Sequence, residues 1–175
     1  RLIELHASSQ PEFCETLFEN VFSSEFLIKR ERKYLCLMIL KRLMEKGYIN
    51  EKNVHRILTS KVADIIRTHI SSKKSYLNAP VVKVMEQIKA SSPSLRLAVA
   101  TRLLSLDDSG TRDSAILSQI LAQVNNTHMK TYVSTLIERQ DEFSAQALYS
   151  VGLTTIERFQ DDEAMFSTIL NTLVT

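Results

Sequence analysis

Apolar residues recur at helical spacing from one end of this sequence to the other. Leu117, Ile120, Leu121 and Val124 stand at i, i+3, i+4 and i+7, which places them on one face of a helix. The same spacing recurs in two further sets, Leu77, Val81, Val84, Met85 and Ile88, and Phe166, Ile169, Leu170 and Leu173. No comparably long segment alternates apolar and polar residues. The 175 residues include only three Gly and three Pro, too few for the turns of an all-β protein. The sequence therefore predicts an all-α fold.

Boundary signals divide the sequence into about nine or ten helices of roughly 10–17 residues with short connections. Gly47 is suited to end a long helix, and Thr59 or Ser60 to cap a later one. Ser92 and Pro93 separate two more, because proline disfavours helical geometry at the residue before it. Helix pairs fall near 30–70, 75–106, 111–140 and 141–174. Their spacing of roughly 30–40 residues predicts a HEAT/armadillo-like stack of antiparallel helix pairs, an α-solenoid.

Residues 1–175 are expected to form a single helical-repeat segment, a fragment of a larger protein, because the chain opens on Arg1 without an initiator Met or a signal peptide. No run of about 18 apolar residues occurs, so no membrane span is predicted. Cys14 and Cys36 stand apart, which fits a reducing intracellular compartment in which a buried thiol acts as a small hydrophobe. The segment from Tyr34 to Leu40 is apolar almost all round and predicts a helix buried between neighbours.

Charge is unevenly distributed along the chain, although the formal net charge is only +2. Between Lys29 and Arg102 there are 17 Lys and Arg against 5 Asp and Glu, a net charge of +12. The remaining residues carry 5 against 15, a net charge of −10. In a solenoid, such segregation gives one basic and one acidic region, and a basic region attracts phosphate backbones without reading sequence.

Two basic clusters are the candidate binding residues of this segment. Arg30, Arg32 and Lys33 open a long helix, where positive charge opposes the helix dipole. Lys73 and Lys74 lie in a Ser-rich loop ahead of the next helix, where hydroxyl and ammonium groups are suited to a phosphate. Three interpretations stay open: solvated helix faces, contact with nucleic acid, and docking to an acidic protein surface.

No catalytic, metal-binding or cofactor-binding constellation is present in the sequence. The four histidines lack metal-ligand spacing, and no phosphate-binding loop or nucleophile motif occurs. We expect His69, between Ile66 and Ile70, to be a partly buried helix residue. The acidic groups at 107–108, 141–142 and 161–163 lie at predicted helix starts or loops, where capping explains them. The sequence therefore predicts a protein that is not an enzyme, has no cofactor and takes no small-molecule substrate.

Three short stretches of the basic segment carry information about the protein family as well as about the fold class. Glu31-Arg32-Lys33-Tyr34-Leu35 opens a helix, residues 57–62 read Ile-Leu-Thr-Ser-Lys-Val, and residues 65–78 run through Ser-Ser-Lys-Lys-Ser into the next helix. The order of a helix start, a capping turn and a Ser/Lys loop resembles the DNA polymerase V (polymerase phi)/Myb-binding protein family. The resemblance is clearest over residues 30–125.

The resemblance implies a nucleolar protein associated with ribosomal DNA transcription and assembly of the large ribosomal subunit. It also implies a helical scaffold, despite the polymerase in the family name. We therefore expect residues 29–102 to contact rRNA, rDNA or pre-ribosomal proteins. The alternative is a general HEAT-repeat adaptor, for example in transport or trafficking, whose groove binds a partner protein without nucleic-acid contact.

Overall fold

A computed structural model describes residues 11–70, 77–106 and 114–174, and in these ranges the chain forms ten α-helices and no β-strand. The helices are α1 (Pro11–Val21), α2 (Arg30–Glu45), α3 (Val54–Ile57), α4 (Ser60–Ile70), α5 (Asn78–Ala90), α6 (Pro93–Ser105), α7 (Ser114–Leu121), α8 (Asn126–Glu138), α9 (Ala145–Thr155) and α10 (Glu163–Val174). Short 3-10 helices occupy Phe26–Ile28, Gln140–Glu142 and Ile156–Phe159. The all-α prediction is confirmed for this part of the chain. None of the helices described here is both long and apolar enough to cross a membrane.

The end of α2 follows the predicted glycine signal. Gly47 has φ +70, a conformation that side chains with a Cβ rarely adopt. Its N–H donates to the carbonyl of Met44 at 3.0 Å, and the N–H of Tyr48 donates to the carbonyl of Leu43 at 3.0 Å. These two bonds form a Schellman motif, which satisfies carbonyls that the helix itself leaves without donors.

Several helix starts are capped by side chains, as the sequence predicts. The Ser92 hydroxyl accepts from the Leu95 N–H at 3.2 Å, with Pro93 as the first helical residue of α6. Thr59, one of two predicted caps, accepts from the Val62 N–H at 3.4 Å. Its hydroxyl also donates to the Phe22 carbonyl at 3.0 Å, which ties the start of α4 to the residue after α1.

The predicted helix length is wrong for α3, which has 4 residues. Asparagine side chains compete with the helix before α3. Asn50 Oδ1 accepts from the backbone N–H of Lys52 at 2.9 Å, and Asn53 Oδ1 accepts from that of Asn50 at 2.9 Å. Such local bonds give the backbone an alternative to helical pairing, so the segment before Val54 stays a turn.

The chain divides into two compact units, Arg1–Gln87 and Ile88–Thr175. Whether residues 1–175 act as one repeat segment of a larger protein stays a prediction. In the first unit, α2 packs on the 3-10 helix Phe26–Ile28, and α1 packs on α3. Its core is apolar and includes Phe22, Leu27, Cys36, Leu37, Ile57, Val62 and Ile66.

The prediction that residues 34–40 are buried on all sides is wrong. Cys36, Leu37 and Leu40 are buried, but Tyr34 and Leu35 keep 45% and 49% of their surface exposed. A helix buries only the face that a neighbour covers, and the neighbours of α2 cover one side. Within the described residues, the opposite side of α2 is therefore an exposed, largely apolar face.

In the second unit, α9 packs against α7, α8 and α10, and α6 packs against α7. Leu117, Ile120, Leu121 and Val124, which share one face in the sequence pattern, are all buried. The rest of this core includes Leu103, Leu104, Ile116, Met129, Tyr132, Val133, Leu136, Val151 and Phe159. The helical periodicity thus locates the core of this unit.

Candidate nucleic-acid interface

The first of the predicted basic clusters lies at the start of α2. Lys29 is the N-cap residue, with extended backbone at φ −84 and ψ 142, and its side chain makes no capping hydrogen bond. Its carbonyl accepts from the Lys33 N–H at 3.2 Å, which closes the first helical turn. Lys29, Arg30, Arg32 and Lys33 are therefore held within about one turn. We call these four residues the basic cluster.

The electrostatics of the basic cluster do not favour the helix that carries it. Arg30 and Arg32 are exposed and Lys33 is half-buried. Glu31 is the one acidic residue of the first turn of α2. Cations at a helix N-terminus face the positive end of the macrodipole, an interaction that costs stability. Helix stability therefore does not account for three cations in this turn.

An aromatic ring orients one member of the basic cluster. The guanidinium carbon of Arg32 lies 5.2 Å from the centroid of the Phe26 ring, a cation–π contact. Phe26 belongs to the 3-10 helix directly before Lys29. The contact holds the guanidinium in one place and leaves its edge N–H groups available to an oxyanion. Neither Phe26 nor Lys29 was among the predicted site residues, although both lie within four residues of Arg30.

The structure brings three of the five predicted site residues together. Arg30, Arg32 and Lys33 share the first turn of α2, as predicted from their spacing. Lys73 and Lys74 lie outside the described residues. Their part in a shared phosphate site stays a prediction.

Two residues of the predicted acidic groups, Glu142 and Asp162, have structural partners. Asp162 Oδ1 accepts from the Met165 N–H at 3.2 Å at the start of α10, which confirms the predicted capping role, and its carboxylate pairs with Lys130. Both Glu142 carboxylate oxygens accept from the Arg139 guanidinium. The doublet at 107–108 lies outside the described residues. In the described ranges, no three His, Cys, Asp or Glu side chains are placed to hold a metal ion.

Two histidines have described side chains, one at a helix start and one on a helix surface. The backbone N–H of His128 donates to Asn125 Oδ1 at 2.9 Å, which caps α8, and the His128 ring contacts the same oxygen. His55 is exposed in α3. His69 lies in α4, with its side chain outside the described part, and His6 is outside it altogether. That the chain is not an enzyme stays a prediction.

Burial changes the acidity of two groups in the helical cores. Burial raises the pKa of the Cys36 thiol to about 12, so this thiol is neutral and unreactive in the folded chain. Burial also raises the pKa of Tyr132, although the Thr101 hydroxyl at 3.4 Å opposes the shift. Cys36 therefore behaves as the small hydrophobe predicted for it.

One cation, Arg96, is buried in the second unit, which was not predicted from the sequence. Arg96 is only 9% exposed, and its Nε donates to the carbonyl of Ser91 at 3.2 Å, just beyond the end of α5. A cation is favourable beside a helix C-terminus. Arg96 Nη1 is buried without a hydrogen-bond partner. Arg96 thus joins two consecutive helices.

Comparison with protein families identifies the chain. The family described as DNA polymerase phi matches residues 3–166. The chain belongs to the DNA polymerase phi family. The match is wider than the 30–125 stretch that carries the resemblance in the sequence. No curated protein and no solved structure matches the chain. Family membership fits a nuclear protein with a ribosome-related role.

Proposed function

We propose that this chain is a non-catalytic scaffold segment that acts in the nucleolus, in rRNA transcription and biogenesis of the large ribosomal subunit. Its basic segment, residues 29–102, contacts the phosphate backbone of rRNA through the basic cluster. Membership of the DNA polymerase phi family supports the cellular setting. The single observation that supports the contact is the placement of exposed cations at the start of α2, where they do not stabilise the helix.

The architecture that we propose for this scaffold is the HEAT/armadillo-like stack of antiparallel helix pairs. Short connections between consecutive helices support it, such as the two residues between α5 and α6 and the four between α7 and α8. Stacked helix pairs present long surfaces, so such a segment can hold pre-ribosomal proteins and RNA at the same time.

The chemistry of the contact is electrostatic and does not depend on base sequence. Arg30 and Arg32 offer planar guanidinium groups that bind phosphate oxygens in pairs, and Lys33 adds a point charge. The positive end of the α2 dipole acts in the same direction as these side chains. Binding therefore releases counterions and weakens steeply as salt increases.

The test is a salt series of binding measurements with a fluorescent single-stranded rRNA fragment. Arg30→Gln/Arg32→Gln/Lys33→Gln should weaken binding and reduce the slope of log K against log salt by about 2, at roughly 0.7 for each lost phosphate contact. The variant should unfold at or slightly above the temperature of the parent chain, because these side chains lie outside the core and oppose the dipole of α2.

The matched control is Arg30→Lys/Arg32→Lys, which keeps every charge of the basic cluster. It should retain the salt slope of the parent chain, since each charge still neutralises one phosphate. If the parent chain does not bind RNA at low salt, or the Gln variant binds equally well, the nucleic-acid contact is wrong. In that case, the protein-adaptor alternative is the better interpretation of these cations.

A further inference from the structure

Arg32 and Phe26 form a layered pair beside the other cations of the basic cluster. The guanidinium carbon of Arg32 lies 5.2 Å from the centroid of the Phe26 ring, so the ring lies on one side of this planar group. Arg32 is exposed and Phe26 is half-buried. In the part of the chain that the structure describes, the Arg32 side chain forms no ion pair and no hydrogen bond. The side of the guanidinium that faces away from the ring is therefore open to a ligand.

The charge around this pair attracts a polyanion. The four cations of the basic cluster stand against two carboxylates in the same stretch, Glu25 and Glu31, which leaves residues 25–33 with a net charge of +2. All of these charged side chains except Lys33 are exposed. Charge alone does not distinguish a nucleic acid from an acidic protein surface, or a single strand from a duplex. That distinction needs a group that recognises something other than phosphate.

A planar guanidinium is such a group. Its edge carries N–H donors that suit phosphate oxygens, and its face stacks on flat aromatic systems, including nucleobases. The two contacts do not compete, because a phosphate binds in the plane of the guanidinium and a base lies parallel to that plane. Base faces are covered by their neighbours in a duplex and are accessible in a single strand. A carboxylate on a protein surface would use only the edge.

We propose that the open side of the Arg32 guanidinium is a stacking site for an unpaired base, so that the basic cluster selects single-stranded RNA over duplex RNA. Phe26 is a positioning residue in this site, because its ring orients the guanidinium and does not itself contact the RNA. Arg30 and Lys33 bind neighbouring phosphates. The inference rests on the proposed RNA contact and specifies its substrate class.

The first test compares two single strands of equal charge. One is an RNA of mixed sequence, and the other keeps every phosphate but carries an abasic spacer at each position. The parent chain should bind the intact strand about tenfold more tightly, which is the usual effect of one stacked base. Arg32→Lys keeps the charge but has no plane on which a base can stack, so it should bind the two strands equally. Its slope of log K against log salt should equal that of the parent chain, because each charge still neutralises one phosphate.

Arg30→Lys is the matched control for Arg32→Lys. It makes the same chemical change in the same turn of α2, at about 200° around the helix axis from Arg32. Arg30→Lys should therefore keep the preference of the parent chain for the intact strand.

Phe26→Leu tests the positioning role of the ring. Leucine keeps an apolar side chain at this place but offers no ring face to the guanidinium, so the preference for the intact strand should fall by about threefold or more. The salt slope should not change. A ring that served only the packing of the 3-10 helix would leave the ratio of the two affinities unchanged, because both strands bind the same folded chain. Circular dichroism establishes that each variant is folded, and Arg32→Lys tests the stacking site independently of Phe26.

The second test uses a blunt RNA duplex of the same sequence. The parent chain should bind the single strand more tightly than the duplex, and Arg32→Lys should lower the ratio of these two affinities about tenfold.

The results separate a failure of this inference from a failure of the RNA contact. If the parent chain binds the intact and abasic strands equally, or Arg30→Lys loses the preference as Arg32→Lys does, the stacking site is wrong. The phosphate contact survives that result if the triple Gln variant still reduces the salt slope. A duplex bound as tightly as the single strand overturns the selection of single strands. A parent chain that binds no strand at low salt overturns both proposals.

Discussion

The guanidinium of Arg158 donates from Nη1 to the carbonyl oxygen of Val124 at 3.0 Å, across 34 residues of sequence. Its Nη2 donates to the carbonyl of Ala122. Both acceptors lie in the turn directly after α7. One side chain of the 3-10 helix Ile156–Phe159 therefore closes the end of α7.

Replacing this guanidinium should destabilise the second unit. Arg158→Met keeps most of the apolar stem but removes the donor of the part-buried Val124 carbonyl, which costs about 1 kcal/mol, whereas the exposed Ala122 carbonyl can bind water instead. Urea unfolding measures the change. Arg139→Met is the control, because Arg139 pairs only with Glu142 in the same exposed turn and its loss should change stability little. Equal effects of the two variants would contradict this role for Arg158.

Helix ends were predictable where the cap is local. Gly47 and Ser92 act on backbone groups within four residues, so their chemistry is visible in a short window of sequence. Arg158 also binds backbone carbonyls beside a helix end, but its acceptors lie 34 and 36 residues earlier in the sequence, and only the packing of the second unit brings them together. A sequence window does not contain that information.

The candidate site was predictable in part for the same reason. Arg30, Arg32 and Lys33 share a helical turn, and their spacing alone brings them together. The exposure of Tyr34 and Leu35 was not predictable, because an apolar helix is expected to be covered and only the packing shows which face has no neighbour.

Gly47 provides a test of backbone conformation. Gly47→Ala should destabilise the chain by about 1–2 kcal/mol, because a Cβ is strained at φ +70 even where nothing else lies nearby. Gly152→Ala should instead stabilise the chain. Gly152 lies inside α9 and lines a cavity of about 20 Å³ with Leu136 and Ile169. Alanine in a helix interior gains up to about 1 kcal/mol over glycine. Chemical denaturation of both variants measures the contrast, and the same sign for both would contradict it.

The raised pKa of the buried Cys36 thiol leads us to expect that the chain loses stability at alkaline pH. Its pKa is about 12 in the folded chain against an ordinary value of 9.0, so the unfolded chain loses its thiol proton first. The neutral thiol therefore contributes fully to the free energy of unfolding below pH 9, and this contribution falls as the pH rises toward 12. Between pH 8 and 10.5, the free energy of unfolding of the parent chain should fall by about 2 kcal/mol more than that of Cys36→Ala. The slope is about 1.36 kcal/mol for each pH unit above the pKa of the unfolded thiol.

Urea unfolding across that range measures the difference, and all other titrating groups, including Tyr132, are common to both chains. In a Cys14→Ser background, a thiol reagent at pH 8 should react with Cys36 only after unfolding. Rapid reaction of the folded chain would contradict the burial of this thiol.

The lowered pKa of Asp162 leads us to expect that the stability of the folded chain is sensitive to acid. The Lys130 ammonium lowers the pKa of this carboxyl most, and the Met165 N–H lowers it further. The pKa of Asp162 in the folded chain is below its ordinary value of 3.8. The ionised carboxylate therefore stabilises the folded chain fully above pH 3.8, and this stabilisation is lost as the pH falls through the folded pKa. Lys130→Met removes the larger cause, so the Asp162 pKa should rise toward its ordinary value, as measured by carboxyl-carbon NMR titration.

Asp162→Asn keeps the cap of α10 without the charge and should remove this part of the acid dependence, whereas Asp162→Ala should also fray α10 at neutral pH. If Lys130→Met leaves the Asp162 titration unchanged, the ion pair between α8 and the start of α10 does not form in solution.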